Sequence, residues 1–152
     1  MSSILVRVTD EPLSAESLSP ALRPDGAGAQ LVFSGVVRNR NEGRRVLAVT
    51  YDAHLPLTER TFRDIAEEAC ARWGADLSVV VAHRTGRLSV GEVSVVIGVA
   101  SPHRDEAYEA SRYVIEQIKA RSPVWKQEHY ADGDSSWLSG HSLRGDLGDT
   151  TG

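Results

Sequence analysis

Of the 17 basic residues in this 152-residue chain, 15 are arginines and only two, Lys119 and Lys126, are lysines. An amine can lose its proton and attack a carbonyl, whereas a guanidinium stays charged at any accessible pH. A chain that uses arginine almost everywhere and keeps two lysines seven residues apart therefore raises the question of amine chemistry. Both lysines bracket Pro123, so a chain reversal there brings them toward one pocket. Neighbouring Arg121 would lower a lysine pKa by like-charge repulsion. The plainer reading is that Lys119 complements the C-terminus of a helix and Lys126 is a solvated strand residue.

A second candidate is His103-Arg104 at the start of the segment that ends in Lys119. Cations in a first helical turn oppose the helix dipole by about 0.3 to 1 kcal/mol, so their placement makes sense if an anion binds there. Backbone amides with an imidazole and a guanidinium would suit a phosphate or carboxylate. Asp105 and Glu106 follow at once, and a salt-bridged helix start explains the pair equally well. A third candidate is the arginine cluster Arg38, Arg40, Arg44 and Arg45, either an anion clamp, a dock for an acidic partner, or a solvated loop.

Other chemistries lack their residues. His54, His83, His129 and His141 do not show the spacing of helical or finger-type zinc sites, and one cysteine, Cys70, cannot complete a thiolate set, so no metal is expected. Neither GxxxxGK[ST], GxGxxG nor GxSxG occurs, which argues against a nucleotidase, a dinucleotide enzyme and an α/β-hydrolase. Trp73, Trp125 and Trp137 are not interleaved with a basic strip, so they read as core or interface anchors rather than base-stacking platforms.

The elements that must position these residues follow from periodicity. Residues 30–38 alternate as a strand, and with Val46 to Ala53 beyond the turn residues Asn39, Asn41 and Gly43 the span 30–53 reads as a hairpin with an arginine-rich tip. Thr58 to Trp73 carries Phe62, Ile65, Ala66, Ala69 and Cys70 at helical spacing, and Gly74 is a natural stop. Leu77 to His83 and Val93 to Ala100 are strands joined through Gly86 and Gly91. Ser101 as N-cap and Pro102 at the first position would open a helix with Ala107, Ser111, Val114, Ile115 and Ile118 as its buried stripe. Pro123 ends it, because the residue before a proline is driven out of the α region. Val124 to Tyr130 reads as a strand, and Trp137 and Leu138 are placed to close the core. The order β, ββ, α, ββ, α, β makes an α+β fold, a two-layer sandwich of a largely antiparallel sheet with two main helices in a single domain.

The composition sets the bounds. With 41% hydrophobic and 25% charged residues and a formal charge of -4, the chain is of ordinary globular type. At this length about 68 to 70% of the unfolded surface is buried, enough for one core. Residues 1–139 are expected to form the domain, and the Gly-, Ser- and Asp-rich 140–152 a flexible tail. The absence of a second cysteine excludes an intramolecular disulfide. No apolar run approaches the ~20 residues of a membrane span and the first residues lack the features of a signal peptide, so a cytoplasmic location is expected. An acidic chain without a basic face is a poor nucleic-acid binder.

Four blocks in order, Phe33-Ser-Gly-Val-Val-Arg-Asn-Arg-Asn41, His83-Arg-Thr-Gly-Arg-Leu-Ser-Val-Gly-Glu92, Ser101-Pro-His-Arg-Asp-Glu-Ala-Tyr-Glu-Ala110 and Ile118-Lys-Ala-Arg-Ser-Pro-Val-Trp-Lys-Gln-Glu128, resemble the catalytic large subunit of molybdopterin synthase. The resemblance covers about Leu31 to Leu138, with Lys-x-x-x-x-Pro-x-Trp-Lys as its most specific part. It implies an α/β hammerhead-type fold and a sulfurtransferase of molybdenum cofactor biosynthesis. In that family a small ubiquitin-like carrier, ending in a Gly-Gly thiocarboxylate, inserts its tail into the large subunit. Two sulfurs are placed on cyclic pyranopterin monophosphate to make the dithiolene of molybdopterin. The family assembles as a large-subunit homodimer within a heterotetramer, with its pocket near the dimer interface.

The resemblance also implies roles. Lys119 and Lys126 would act as acid/base groups or oxyanion stabilisers at the thiocarboxylate and the substrate. Arg38, His103 and Arg104 match anion-binding positions, Val36 and Val37 would line the site beside Arg38, and Gln127 and Glu128 would continue it beyond Lys126. No cofactor, metal or nucleotide is called for, since the sulfur arrives activated. The chain departs from the family pattern at Val36, where a lysine or polar residue is frequent, at Arg40, where histidine is, and at Asp52-Ala-His54, where His54 takes the place of an aromatic. The competing expectation is a non-catalytic dimeric module on the same fold that binds a phosphorylated metabolite or an acidic tail.

Overall fold

Two runs, Ser78–Arg84 and Val93–Ser101, are buried at nearly every position, the pattern of strands covered on both faces. The computed structural model describes residues 2–22, 25–133 and 135–138, and it places these two runs at the centre of a four-stranded sheet. In chain order the strands are β1 (Ser3–Thr9), β2 (Ala29–Val36), β3 (Arg40–Asn41), β4 (Arg44–Ala53), β5 (Ser78–Arg84), β6 (Gly86–Ser89), β7 (Val93–Ser101), β8 (Val124–Tyr130) and β9 (Ser135–Leu138). The helices are α1 (Ala15–Leu18), α2 (Leu55–Trp73) and α3 (Arg104–Arg121). The first sheet runs β1-β5-β7-β2 and is parallel only where β1 meets β5. The second runs β3-β4-β8-β9, with β6 added on β4.

Helices α2 and α3 cover one face of the first sheet. Phe62, Ile65, Ala66 and Ala69 from α2 and Ala107, Ala110, Val114 and Ile118 from α3 pack on Val79, Val81, Ile97 and Val99. Truncating a fully buried side chain such as Phe62 to alanine would cost about 3–5 kcal/mol. The opposite face is covered at Val80, Ala82, Val96 and Ala100 by Leu13, Leu18 and Leu22, from α1 and its flanks. This is the expected α+β sandwich in one domain. It also has a second sheet with its own small core of Val37, Val46, Val49, Leu88 and Tyr130.

Helix α2 starts at Leu55, a turn earlier than the apolar stripe predicts. Pro56 sits in its first turn, and the His54 Nδ1 accepts a hydrogen bond from the Leu57 amide at 3.3 Å. His54 is thus a helix cap, and the exposed Leu55 and Leu57 fall outside the stripe that periodicity detects. Its end at Trp73, before Gly74, is as expected.

Two expectations are corrected. Residues 30–53 do not form one hairpin: β2 pairs with β7, and after an irregularity at Gly35/Val36 the chain crosses to the second sheet. The true hairpin is β3–β4, with Arg40 opposite Arg45 and Asn41 opposite Arg44. Its two-residue turn, Glu42 (φ +50°) and Gly43 (φ +77°), has the left-handed pair that a tight hairpin needs. Ser101 does not cap α3. Pairing with Ala29 carries β7 through Ser101, the Ser101 hydroxyl is buried and donates to the His103 carbonyl, and the cap position falls to His103, whose side chain makes no capping bond. At the other end Ser122 is extended (ψ 136°) ahead of Pro123, its amide closing on the Ile118 carbonyl at 3.0 Å. The expected tail, 140–152, lies outside the described residues.

Candidate functional site

The reversal at Pro123 is fixed from α2. The His54 amide and the Thr58 hydroxyl both donate to the Pro123 carbonyl at 3.3 Å, so the end of α3 and the start of β8 are held as one unit. Lys119, on the last turns of α3, lines a small cavity of about 20 Å³ with Tyr51, His83, Ser94, Val95, Ile115 and Ile118. Lys126, on β8, is the cross-strand partner of that same Tyr51 on β4. Residues directly opposite in an antiparallel pair project on the same face, so the two lysines approach Tyr51 from different elements.

Lys126 is only 15% exposed and pairs with Glu128, 5% exposed, at 3.2 Å. Both lie on the inward face of β8, whose alternate residues Val124, Glu128 and Tyr130 are buried. The second Glu128 oxygen accepts from the Asn41 amide at 2.7 Å and from the Tyr130 hydroxyl. Burial pushes the Glu128 carboxyl up, but the Tyr130 hydroxyl, the Lys126 ammonium and the Asn41 amide outweigh it, and the group is held below the ordinary carboxylate range. Glu128 therefore stays ionised beside the Lys126 amine. Asn41 reaches this network from the β3–β4 hairpin.

His83 is buried, and its Nδ1 lies 2.8 Å from the Arg84 carbonyl. A carbonyl only accepts, so Nδ1 carries the proton. Burial first, and the nearby Lys119 charge in addition, lower its pKa to about 4. The Tyr51 ring meets it edge-on at 4.9 Å. The following loop is clamped by Arg84 to Glu92 at 2.9 Å and by the Ser89 amide to Glu92 at 2.7 Å, and between them Leu88 of β6 is fully buried.

The remaining sequence candidates divide. Val37 is buried in the same small core against which Tyr51 packs, whereas Val36 is 48% exposed and Arg38 is exposed on the segment after β2. Gln127 alternates to the opposite face from Lys126, where its amide donates to the Ser135 hydroxyl at 3.1 Å. His103 and Arg104 lie exposed at the other end of α3, about 22 Å from Lys119 at ~1.5 Å per residue. The four hairpin arginines also separate. Arg44 binds Asp132 at 2.9 Å and lies over the Tyr130 ring at 3.6 Å, while Arg40 and Arg45 line an open depression of about 570 Å³ with Asn39, Leu47 and Val90.

Tyr51, His83 and Asn41 escape a reading by residue type. The signal for His83 was a polar residue closing the apolar run Val79-Val-Val-Ala82; Tyr51 and Asn41 acquire meaning only through strand register. Among the described residues no group of three His, Cys, Asp or Glu side chains is arranged to hold a metal ion, and no helix is long and apolar enough to cross a membrane.

The family model for the MoaE protein matches residues 8–121, a span that includes Lys119 and stops short of Lys126. The chain is 44% identical over 133 residues to the molybdopterin synthase catalytic subunit of Nostoc sp., covering 87% of this chain and 80% of that one. Its fold is similar to the crystal structure of molybdopterin synthase from Staphylococcus aureus, with a TM-score of 0.80 at 33% identity over 90% of this chain and 96% of that one. A more distant likeness, TM-score 0.65 at 20% identity over 91% of this chain and 88% of the other, is to a protein solved as a complex of subunits 1 and 2 of the molybdopterin-converting factor of Helicobacter pylori. The match spans α1, α2 and α3, the strands β2 to β7 and the Lys119 end of the pocket, and on that extent the chain belongs to the MoaE protein family.

Proposed function

We propose that this chain is the catalytic subunit of a molybdopterin synthase, transferring sulfur from the C-terminal thiocarboxylate of a small ubiquitin-like carrier to cyclic pyranopterin monophosphate. The observation that carries the reading is the meeting of the only two lysines of the chain at Tyr51, in a family whose relatives bear the name of catalytic subunit. Lys126, paired with Glu128 at 3.2 Å, is suited to hold an anion or to stabilise the oxyanion at the thiocarboxylate carbon. Lys119, beside a neutral imidazole, is suited to proton transfer at the substrate. Transfer leaves the carrier as a plain carboxylate, its new oxygen taken from water.

The phosphate would be held by Arg38, His103 and Arg104 beside Val36 and Val37; Glu128 would serve the pocket through Lys126, and Gln127, bonded to Ser135 on the opposite face of β8, is left out of it. Since His103 and Arg104 stand about 22 Å along α3 from Lys119, the complete pocket takes them from a second copy of the chain, within a heterotetramer of two catalytic and two carrier subunits. The proposal extends to a cytoplasmic location and to a domain of residues 1–139 with 140–152 as its tail. It is tested by incubating the chain with a thiocarboxylated carrier and cyclic pyranopterin monophosphate and looking by mass spectrometry for a dithiolene pterin and a desulfurised carrier. Product that vanishes in Lys119→Ala supports the reading. No product despite binding of both reactants refutes it in favour of a non-catalytic binding module.

A further inference from the structure

The cavity at Lys119 has a wall that the proposed chemistry does not use. His83 closes β5 inside the molecule, and its Nδ1–H is committed to the Arg84 carbonyl, so Nε2 carries the lone pair. The rest of the wall is Tyr51, Ser94 and aliphatic side chains, and Phe62 stacks at a tilt 6.5 Å from the imidazole. The charged and titratable groups around the ring are few: Lys119 from α3, Tyr51 from β4 and, next along β5, Arg84, whose guanidinium is held by Glu92 at 2.9 Å. The volume, about 20 Å³, admits about one water molecule. Lys119 and His83 line the same small cavity, and a neutral imidazole offers the amine an acceptor that brings no second positive charge.

The geometry points to His83 as a positioning residue, with Nε2 as the acceptor that holds the Lys119 amine, directly or through one water, at the mouth of the cavity. The inference rests on the role given to Lys119 in the proposed sulfur transfer. The imidazole touches neither carrier nor substrate; it acts through the lysine. Its neutrality follows from the same burial that puts it there, since an imidazolium beside the ammonium would be both desolvated and repelled.

Two substitutions separate this role from a structural one. His83→Gln places an amide oxygen near the position of Nε2, and His83→Asn keeps only the donor to the Arg84 carbonyl. With thiocarboxylated carrier and cyclic pyranopterin monophosphate, His83→Gln should hold kcat within about threefold of wild type, and His83→Asn should lose about tenfold or more in kcat with KM unchanged. An Asn variant at least as active as the Gln variant overturns the inference, because the tie to Arg84 would then be all that matters.

Lys119→Ala is the control. If it turns over, the role of Lys119 falls and this inference with it; if it is inactive while both His83 variants behave as wild type, only the inference about His83 falls. Should neither His83 variant fold, the ¹⁵N NMR titration of His83 decides. Its midpoint should rise from about 4 when Lys119→Met removes the ammonium, and an unmoved midpoint shows that the two side chains do not meet.

Discussion

Glu128→Ala probes the pocket at its most charged point. The Lys126–Glu128 pair, at 3.2 Å with side chains 15% and 5% exposed, has an attraction of about 5 kcal/mol at an effective dielectric of ~20. Desolvation of both charges offsets most of it, so the intact pair adds little net stability. Removing one member is different. The Lys126 ammonium would lose its 3.2 Å Glu128 partner, and the Asn41 amide and Tyr130 hydroxyl would lose their shared acceptor. Glu128→Ala should therefore cost about 3–5 kcal/mol, a large part of a total stability of roughly 5–15 kcal/mol. Glu128→Gln, which keeps one acceptor but turns an amide donor toward other donors, should cost about 1–3 kcal/mol.

The assay is urea unfolding followed by circular dichroism, with Lys126→Met closing a double-mutant cycle. The double variant should be more stable than Glu128→Ala alone, because it no longer keeps a part-buried ammonium that has lost the Glu128 carboxylate. The Glu128 carboxyl is held below its ordinary 4.5, so its stabilisation is complete above that pH and is lost as pH falls through the folded value. The gap between wild type and Glu128→Gln should accordingly close in acid. A Glu128→Ala variant within about 1 kcal/mol of wild type, or strict additivity in the cycle, would refute the reasoning.

Three further outcomes are expected. Because Lys119 and Arg104 sit at opposite ends of α3, mixing inactive Lys119→Ala and Arg104→Ala chains should restore turnover through dimers with one complete composite site; no recovery after subunit exchange would place the whole site in one chain. His83 has a folded pKa of about 4 against 6.5 unfolded, so its neutral form stabilises the fold fully above about pH 6.5 and that contribution, about 3 kcal/mol, is lost as pH falls toward 4; the pH dependence of urea unfolding should flatten over that window in His83→Gln. A Cβ on Gly28 would stand 2.3 Å from the Pro102 carbonyl oxygen, so Gly28→Ala must push apart β2 and the residues that precede Arg104. A loss of about 2 kcal/mol or more is expected, with KM for the pterin rising before kcat falls; an unchanged melting temperature would contradict the contact.

Much of the helical half of the molecule was legible in the chain. The stripe Phe62-Ile65-Ala66-Ala69 and the stripe through Ala107, Val114 and Ile118 are local patterns, and Gly74 and Pro123 stop their helices by backbone chemistry that needs no partner. The strand partners were less legible. Residues 30–38 read correctly as extended, yet their neighbour is β7 rather than β4, because alternation defines a face and not a partner. Ser101 reads as a cap by residue type, but the ladder to Ala29 claims it for a strand.

For the site, the sequence by itself determined which residues have the chemistry: two lysines among fifteen arginines, a cationic helix start, and the ordered blocks that resemble one family. Residue type and spacing carry that much because pKa, hydrogen-bonding capacity and helical period are properties of the chain. Tertiary structure alone decided the company those residues keep. The register of β4 against β8 put Lys126 opposite Tyr51 and sent Gln127 to the other face. The packing of α3 set Lys119 beside His83 and left His103 and Arg104 about 22 Å away. Distance between groups remote in sequence depends on how sheets and helices pack, and no local pattern encodes it.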